Sequence, residues 1–422
     1  MTLTAKFKKN LYFFVAGYFK FFANISLRRW HPRTIAITGS VGKTTMLNLV
    51  EAQLGASAHF SHNANSAFGI AFDILGLKGV TGNKLYWIYL LIAAPLRSFT
   101  YHRREKLYIV EIDGERPYET EFIAKWLRPE VTVWISLGLS HAVYYEQEVK
   151  KGHFASIEDA IAYAFSRLPK YTKALTLIDA DNRLMHETTK DVFCTVKKLN
   201  QNAVTNYEVT PDSADFTIGK KSFHFHCPMP RDVGLQLVML VALMKYLKLP
   251  VNYDLSDFVM PPGRNNPIKG RNGLRIIDSS YNAHLVSMAS ILDMAKELRV
   301  KHKWLVIGDI IEQGKLEETE HQRLAELIKN VAPEQVVLIG RRTASYTYPL
   351  LKNHLDVVSF KKPQPALKYL NKHLTGRETV IFKGSQYLEW IIEKLLDDPT
   401  DVALLARQDS AHRRRRQSWG LE

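Results

Sequence analysis

Cysteine is scarce in this 422-residue chain, which has only Cys194 and Cys227, far apart in the sequence. Two such thiols exclude a disulfide framework and a four-cysteine zinc site, and they fit a reducing cytoplasm. We therefore interpret them as half-buried thiols without a chemical role.

Acidic residues are missing from the N-terminal region, where the first one is Glu51. Basic residues are frequent there, the run Arg413 to Arg416 comes near the end of the chain, and the net charge is +15. Such clusters favour an anionic partner: nucleic acid, an acidic membrane face or a phosphorylated substrate. Nucleic acid is the weakest of the three, because the basic runs lie at opposite termini and no recognition motif accompanies them.

A long apolar run is also missing from residues 1–32, a basic and aromatic segment. Its apolar stretch is shorter than the roughly 20 residues of a bilayer span, and no cleavage pattern of a signal peptide follows it. An aromatic helix with basic flanks suits a lipid interface. The alternative is a helix packed on the protein's own core. A second apolar run, Leu85 to Leu96, either extends the same surface or forms a buried helix.

Strands alternate with helices in the rest of the chain, which predicts an α/β fold. Residues 33–268 form one predicted domain and residues 269–398 a second, in which the alternation is typical of a Rossmann-like unit. We expect the basic tail, residues 399–422, to be disordered. The predicted strands are Arg33–Thr38, Leu107–Ile112, Val131–Ser136, Ala174–Ile178, Leu274–Asp278, Trp304–Ile307, Gln335–Ile339 and Thr379–Phe382.

The motif Thr-Gly-Ser-Val-Gly-Lys-Thr-Thr at residues 38–45 lies between a predicted strand and a predicted helix. This is the context of a phosphate-binding loop, in which backbone N–H groups and the helix N-terminus surround phosphate oxygens. Lys43 would neutralise the β- and γ-phosphates, and the Thr44 hydroxyl would take a Mg²⁺ position. Ile37 departs from the general pattern, which has a glycine there. The predicted ATP-binding residues of this loop are Gly39, Ser40, Val41, Gly42, Lys43, Thr44 and Thr45.

The shortened motif resembles that of the Mur ligase family and its folylpolyglutamate synthase relatives. Residues 61–70 are similar to the family's asparagine-rich loop, and Val110-Glu111-Ile112 and Gly138-Leu139-Ser140-His141 follow in the family's order. The resemblance implies that Glu111 and His141 are catalytic together with Lys43. It also implies that Thr44, Glu111 and His141 bind Mg²⁺, for which hydroxyl, carboxylate and imidazole ligands are suitable.

Further similarities lie in the C-terminal part, at Pro262-Gly263-Arg264, at residues 277–284, at residues 306–314 and at Phe382-Lys383-Gly384-Ser385. These resemble the D-alanyl-D-alanine-adding branch of the family and imply that Arg264, Asp278, Tyr281 and Asn282 contact ATP. The implied fold is a central P-loop ATPase-like domain with a parallel sheet, followed by a Rossmann-like α/β domain.

The chain departs from the family in three places. The family has a lysine, carbamylated to bind a second Mg²⁺, where this chain has residues near Ile161 or Ala164, and residues 152–169 contain no lysine. Ser279 and His284 replace an aspartate and an asparagine of the family's adenine-side loop. The phosphate loop is reached by residue 39, so we expect the family's N-terminal domain for a uridine-diphosphate sugar to be absent.

The resemblance implies an ATP-dependent amide-bond ligase that activates a carboxylate as an acyl phosphate in peptidoglycan precursor synthesis. The implied partners are a small-molecule or lipid-linked muramyl-peptide-like substrate and a D-alanyl-D-alanine-like amine, in the cytoplasm or at the inner face of the membrane. Two alternatives remain: a ligase of the same fold for another substrate such as folate, and a non-catalytic ATP-binding protein of the membrane surface.

Overall fold

The computed structural model describes residues 3–62, 64–79, 84–114, 116–139, 142–385 and 387–421. The chain divides into two compact units, Met1–Asn200 with Leu235–Leu249, and Gln201–Gly234 with Pro250–Glu422. This division differs from the predicted boundary at residue 268, because residues 201–234 and 250–268 are grouped with the C-terminal part of the chain.

The first unit is built on one sheet. Its strands are β1 (Arg33–Thr38), β2 (Ala58–Phe60), β3 (Leu107–Ile112), β4 (Val131–Trp134), β5 (Leu175–Asp179) and β6 (Thr195–Leu199). All neighbours are parallel, in the order β2-β3-β1-β4-β5-β6. The central strands β1, β3 and β4 are buried almost throughout, which is typical of a parallel sheet covered on both faces. The predicted parallel sheet is confirmed.

Nine helices are described in this unit. They are α1 (Leu3–Trp30), α2 (Lys43–Leu54), α3 (Ala67–Leu75), α4 (Lys84–Thr100), α5 (Glu119–Leu127), α6 (Ala142–Lys150), α7 (Ile157–Tyr171), α8 (Arg183–Thr188) and α9 (Val233–Leu247). None of the helices formed by the described residues combines the length and the apolar character needed to cross a bilayer.

One face of helix α1 packs against the rest of the first unit. Ala16, Phe19 and Ala23 on this face are fully buried in a core shared with α3 and α4. The Phe19 and Phe72 ring centroids lie 4.8 Å apart in an edge-to-face arrangement, which is a favourable geometry for aromatic pairs. The packed alternative for this segment is therefore confirmed for that face. The opposite face carries exposed aromatic side chains.

The second unit contains two sheets. Strands β7 (Val204–Val209), β8 (Ala214–Ile218), β9 (Lys221–Phe225) and β10 (Asp254–Leu255) form a sheet in the order β10-β9-β8-β7. The other strands are β11 (Asn266–Lys269), β12 (Arg275–Ser279), β13 (Lys303–Gly308), β14 (Gln335–Ile339), β15 (Val357–Phe360) and β16 (Thr379–Lys383). Their order is β11-β12-β16-β13-β14-β15, and every pair is parallel except the edge pair β11 and β12.

Helices cover both faces of the larger sheet. The described helices of this part of the chain are α10 (Leu285–Glu297), α11 (Glu317–Lys329), α12 (Tyr348–Leu351), α13 (Pro363–His373), α14 (Leu388–Glu393) and α15 (Ser410–Ser418). Successive residues of β13 join different cores, since Leu305 and Ile307 lie in one and Val306 in the other. This alternation follows from the period of two in a strand and confirms the predicted Rossmann-like unit.

The prediction of a disordered tail is wrong for the described residues 399–421. They form a 3₁₀ turn at Pro399–Leu404 and then helix α15, with Leu405 and Leu421 buried. Arg416 is buried and its guanidinium bonds the Glu393 carboxylate at 2.8 Å. The arginine run suggested a solvated segment, but its last member is held by a carboxylate far from it in sequence.

A buried histidine couples the stability of the second unit to pH. His321 is completely buried; its Nε2 accepts the N–H of Ile310 at 3.2 Å and its Nδ1–H donates to the Glu317 carbonyl at 2.7 Å. These bonds require a neutral ring, because a protonated ring has no acceptor. Burial lowers the pKa of His321 below its ordinary value of 6.5, although the Glu317 carbonyl, Asp309 and Glu317 oppose the shift.

A lowered pKa means that the folded chain binds fewer protons than the unfolded chain. We therefore expect the stabilisation from His321 to be complete above pH 6.5 and to fall below it, by at most about 1.4 kcal/mol per pH unit. Urea unfolding at pH 7.5 and 5.5, compared with His321→Gln, would measure it. The variant should lose less stability than the natural chain on acidification. Equal losses would contradict the assignment.

Candidate functional site

The phosphate loop occupies the turn between β1 and α2. Gly39 and Gly42 adopt φ angles of +142° and +88°, which are strained for residues with a side chain. A Cβ on Gly42 would also lie 2.7 Å from Nε2 of Gln236 in α9. Helix α2 begins at Lys43, so the backbone N–H groups of Thr44 and Thr45 belong to its first turn. The predicted strand, loop and helix are thus in register.

Residues after β4 hold this loop from the side. The Ser136 hydroxyl accepts the N–H of Val41 at 2.9 Å and donates to the Val41 carbonyl at 2.7 Å. The Ser40 hydroxyl donates to the Gly138 carbonyl and accepts the Gly138 N–H, both at 2.9 Å. Ser136 was predicted to lie within a strand; instead, β4 ends at Trp134 and its continuation fixes the loop. These contacts could not be predicted from the sequence, because they join residues that are far apart in the chain.

Lys43 lies within the loop that it is predicted to serve. Its Nζ donates to the Gly39 carbonyl at 2.6 Å and lies 3.3 Å from Oδ1 of Asp113, and the side chain is nearly buried. Asp113 follows β3 and also bonds Asn65 of the asparagine-rich loop. Asp113 was missed by the sequence analysis. Its sequence signal was a second carboxylate directly after the predicted strand, in Glu111-Ile-Asp113.

Two of the three predicted metal ligands lie together. The Thr44 hydroxyl is 3.1 Å from Oε2 of Glu111, and the Glu111 N–H bonds the Ser61 hydroxyl at 2.9 Å. Strand pairing explains the contact, since Glu111 pairs with Ile37 at the end of β1. A hydroxyl and a carboxylate at this separation are oxygen donors that suit Mg²⁺. His141 lies outside the described residues, and within them no group of three or more His, Cys, Asp or Glu residues suits a metal ion.

The positions predicted to correspond to the family's carbamylated lysine are apolar. Ile161 and Ala164 of α7 are buried in a core with Trp134, Tyr145 and Phe165. Ala164 also lines a small pocket beside Tyr118. A lysine on this side of α7 would have to place its amine among these apolar groups.

The second unit brings its predicted residues to the ends of β12 and β16. Asp278 is completely buried, and its Oδ1 accepts the Ser280 N–H at 2.9 Å. Burial raises the pKa of Asp278 to about 6. The Asn282 amide oxygen accepts a hydrogen bond from Lys383 Nζ at 3.1 Å. Ser279 and Lys383 are register partners of adjacent parallel strands, which explains why these side chains meet.

Lys383 is a buried cation that sequence reasoning noted only as part of a motif. It is 3% exposed, and burial, reinforced by the neighbouring Arg264, lowers its pKa to about 7. Perturbed groups of this kind often lie at functional sites.

Two arginines hold the ring of Tyr281. The guanidinium carbon of Arg264 lies 4.2 Å from the ring centroid and that of Arg407 lies 5.8 Å away. Arg407 also donates to the carbonyls of Ser280 and Tyr281. Arg407 was missed because the tail was expected to be disordered.

The fold and these residues define an α/β protein with a P-loop unit and a Rossmann-like unit. Residues 263–386 match the family model described as Mur ligase, glutamate ligase domain. The second unit therefore contains a Mur ligase C-terminal domain, and the chain is a relative of the Mur ligases. This confirms the resemblance inferred from the sequence.

Two curated relatives share the name UDP-N-acetylmuramoyl-tripeptide--D-alanyl-D-alanine ligase. That of Rickettsia prowazekii is 23% identical over 375 residues, covering 86% of this chain and 77% of the relative. That of Bacillus subtilis is 22% identical over 394 residues, covering 89% and 79%. By name, both act on a muramoyl-tripeptide and D-alanyl-D-alanine.

Solved structures agree in fold. MurF ligase from Thermotoga maritima in complex with ADP has a TM-score of 0.71 at 17% identity, covering 90% of this chain and 82% of that chain. MurF from Acinetobacter baumannii has a TM-score of 0.70 at 19% identity, covering 89% and 79%. The α/β fold class predicted from the sequence is confirmed.

Proposed function

We propose that this protein is an ATP-dependent amide-bond ligase of peptidoglycan precursor synthesis. The observation that carries the proposal is the formed phosphate loop, in which Lys43 Nζ lies inside the turn and Thr44 contacts Glu111. The names of the curated relatives support the reaction class.

The proposed reaction has two steps. A substrate carboxylate oxygen attacks the γ-phosphorus of ATP and forms an acyl phosphate and ADP. An amine then attacks the acyl carbon, an amide bond forms, and phosphate leaves with the former carboxylate oxygen. The amine loses a proton in this step. Because the first step spreads negative charge over phosphoryl oxygens, its catalysis is mainly positioning and electrostatic stabilisation.

The residues of the first unit have distinct proposed roles. When ATP binds, the Lys43 amine is proposed to leave the Gly39 carbonyl and the Asp113 carboxylate and to contact the β- and γ-phosphate oxygens instead. Backbone N–H groups at the start of α2 bind phosphate oxygens, since they have no partner within the helix. Thr44 and Glu111, together with His141, would hold Mg²⁺, which would neutralise phosphate charge.

The second unit is proposed to contribute nucleotide contacts. Arg264 supplies a cation for phosphate, and Tyr281 and Asn282 lie on the loop proposed to contact the base. Asp278 holds this loop through the Ser280 N–H. Lys383 holds Asn282 and gives its amide a fixed direction.

The proposed acyl substrate is a muramyl-peptide-like carboxylate, either a small molecule or lipid-linked, and the proposed amine is D-alanyl-D-alanine-like. The proposed location is the cytoplasm, at the inner face of the membrane. The two cysteines of the chain support a reducing compartment.

The test measures phosphate release from ATP by the purified chain. The assay contains a muramoyl-tripeptide precursor alone, D-alanyl-D-alanine alone, or both together. Release that needs both substrates, with the amide product seen by mass spectrometry, supports the proposal. Nucleotide binding without release would favour the second candidate, a non-catalytic ATP-binding protein. That candidate is motivated by the apolar surroundings of Ile161 and Ala164.

Removal of dissolved carbon dioxide and bicarbonate is expected to leave phosphate release unchanged. The reason is that a carbamate needs a lysine, and Ile161 and Ala164 occupy the expected positions. Initial rates in degassed buffer, before and after bicarbonate is restored, would check this. Stimulation by bicarbonate would show that another lysine carries a carbamate.

A further inference from the structure

The outward face of α4 is apolar although it is exposed. Six of its side chains are between 52% and 72% exposed: Leu85, Ile88, Tyr89, Ile92, Leu96 and Phe99. Their spacing of three and four residues places them on one side of the helix, over about 21 Å of its length. Leu90, Ala93 and Ala94 on the other side are buried. Single exposed apolar residues are ordinary, but a continuous stripe marks an interaction surface.

Helix α1 lies beside α4 and is bonded to it. The Tyr18 hydroxyl donates to the Leu91 carbonyl at 2.6 Å, and Arg29 donates to the Phe99 carbonyl at 2.7 Å. On the side of α1 opposite its core-facing residues, Phe14 and Phe21 are 79% and 63% exposed. We call the two sets of exposed apolar residues on α1 and α4 the paired-helix face.

Helices α1 and α4 carry basic residues only, and one acidic residue, Glu105, lies among the basic residues that follow α4. Neither helix sequence contains an acidic residue. The basic residues Arg28, Arg29, Arg104 and Lys106 are exposed at or just beyond the C-terminal ends of the two helices. Each lysine or arginine close to an acidic bilayer contributes about 1 kcal/mol of attraction. A second copy of the chain would instead bring like charges together.

A helix pair that is buried on one side and apolar on the other has the character of helices that lie along a bilayer surface. Tyr89 and the exposed phenylalanines would lie at headgroup depth, where aromatic side chains are favoured.

We propose that the paired-helix face binds the surface of a bilayer that contains acidic lipids, with the outward side chains of α4 inserted among the lipids. This proposal rests on the membrane location proposed above and names the surface responsible for it. Membrane binding does not require ligase activity, so either proposal can fail without the other.

The test is co-sedimentation of the full chain with vesicles of phosphatidylcholine alone or mixed equally with phosphatidylglycerol. The variant combines Ile88→Gln, Ile92→Gln and Leu96→Gln. These three side chains are exposed, so polar replacements should not disturb the core. The control combines Phe193→Gln, Leu249→Gln and Val259→Gln, which are exposed apolar residues elsewhere. Circular dichroism would establish that both variants fold.

We expect the natural chain and the control to bind the acidic vesicles, more weakly at high salt, and the α4 variant to bind at least about tenfold more weakly. Phosphate release with soluble substrates should be the same in all three. Equal binding by the α4 variant would overturn the proposal. So would failure of the natural chain to bind, or a dimer, seen by sedimentation velocity, that the α4 substitutions abolish.

Discussion

Replacement of Lys43 by alanine is expected to lower substrate-dependent phosphate release by about 100- to 1,000-fold. The Nζ lies inside the loop at hydrogen-bond distance from the Gly39 carbonyl, where phosphate oxygens are proposed to bind. Alanine removes the cation that would oppose charge on the transferring phosphoryl group. The measurement is the initial rate of phosphate release with saturating substrates.

The matched control is Lys170→Ala, which removes an exposed lysine near the end of α7 in the same unit. It should leave the rate unchanged. Because Lys43 also pairs with Asp113, unfolding midpoints of both variants should be recorded. An unchanged rate in Lys43→Ala, with the fold intact, would contradict the role of the loop.

Replacement of Gly308 by alanine is expected to destabilise the second unit by about 3 kcal/mol or more. A Cβ at this position would lie 1.9 Å from the carbonyl oxygen of Ser385 and 2.9 Å from its backbone nitrogen. The obstacle is backbone at the ends of β13 and β16, so no side-chain rotation relieves it. The strands must separate where Lys383 meets Asn282.

Hydrogen exchange followed by mass spectrometry over peptides from β13 and β16 would measure the loss of protection. The control is Gly17→Ala in α1, where a Cβ meets nothing within 4 Å and alanine favours the helix. Protection in Gly308→Ala equal to that of the natural chain would contradict the close approach of the two strands.

Much of the fold was predictable because the central strands are buried and most of their residues are apolar. β1, β3, β13 and β16 lie within two residues of their predicted bounds. The polar and partly exposed strands β6 and β7 were missed, since their sequences resemble loops. The tail was wrongly predicted to be disordered because its composition is polar and basic. Composition does not reveal that a carboxylate of α14 binds Arg416.

The candidate site was predictable where one short segment carries it. The loop from Gly39 to Thr45 has its glycines, lysine and threonines in fixed spacing, so chemistry and position are found together. The contacts of Ser136, Asp113 and Arg407 join segments far apart in the chain. Only the strand order and the folded tail bring them to the loops they support.

The most direct test of the proposed ligase reaction follows one oxygen atom. The acyl substrate is prepared with ¹⁸O in its reacting carboxylate and incubated with ATP, the amine substrate and the natural chain in ordinary water. If an acyl phosphate forms, the released phosphate contains one ¹⁸O atom for each amide bond made, and mass spectrometry detects it. Release of phosphate without ¹⁸O would mean that water attacked ATP and would contradict the proposed mechanism.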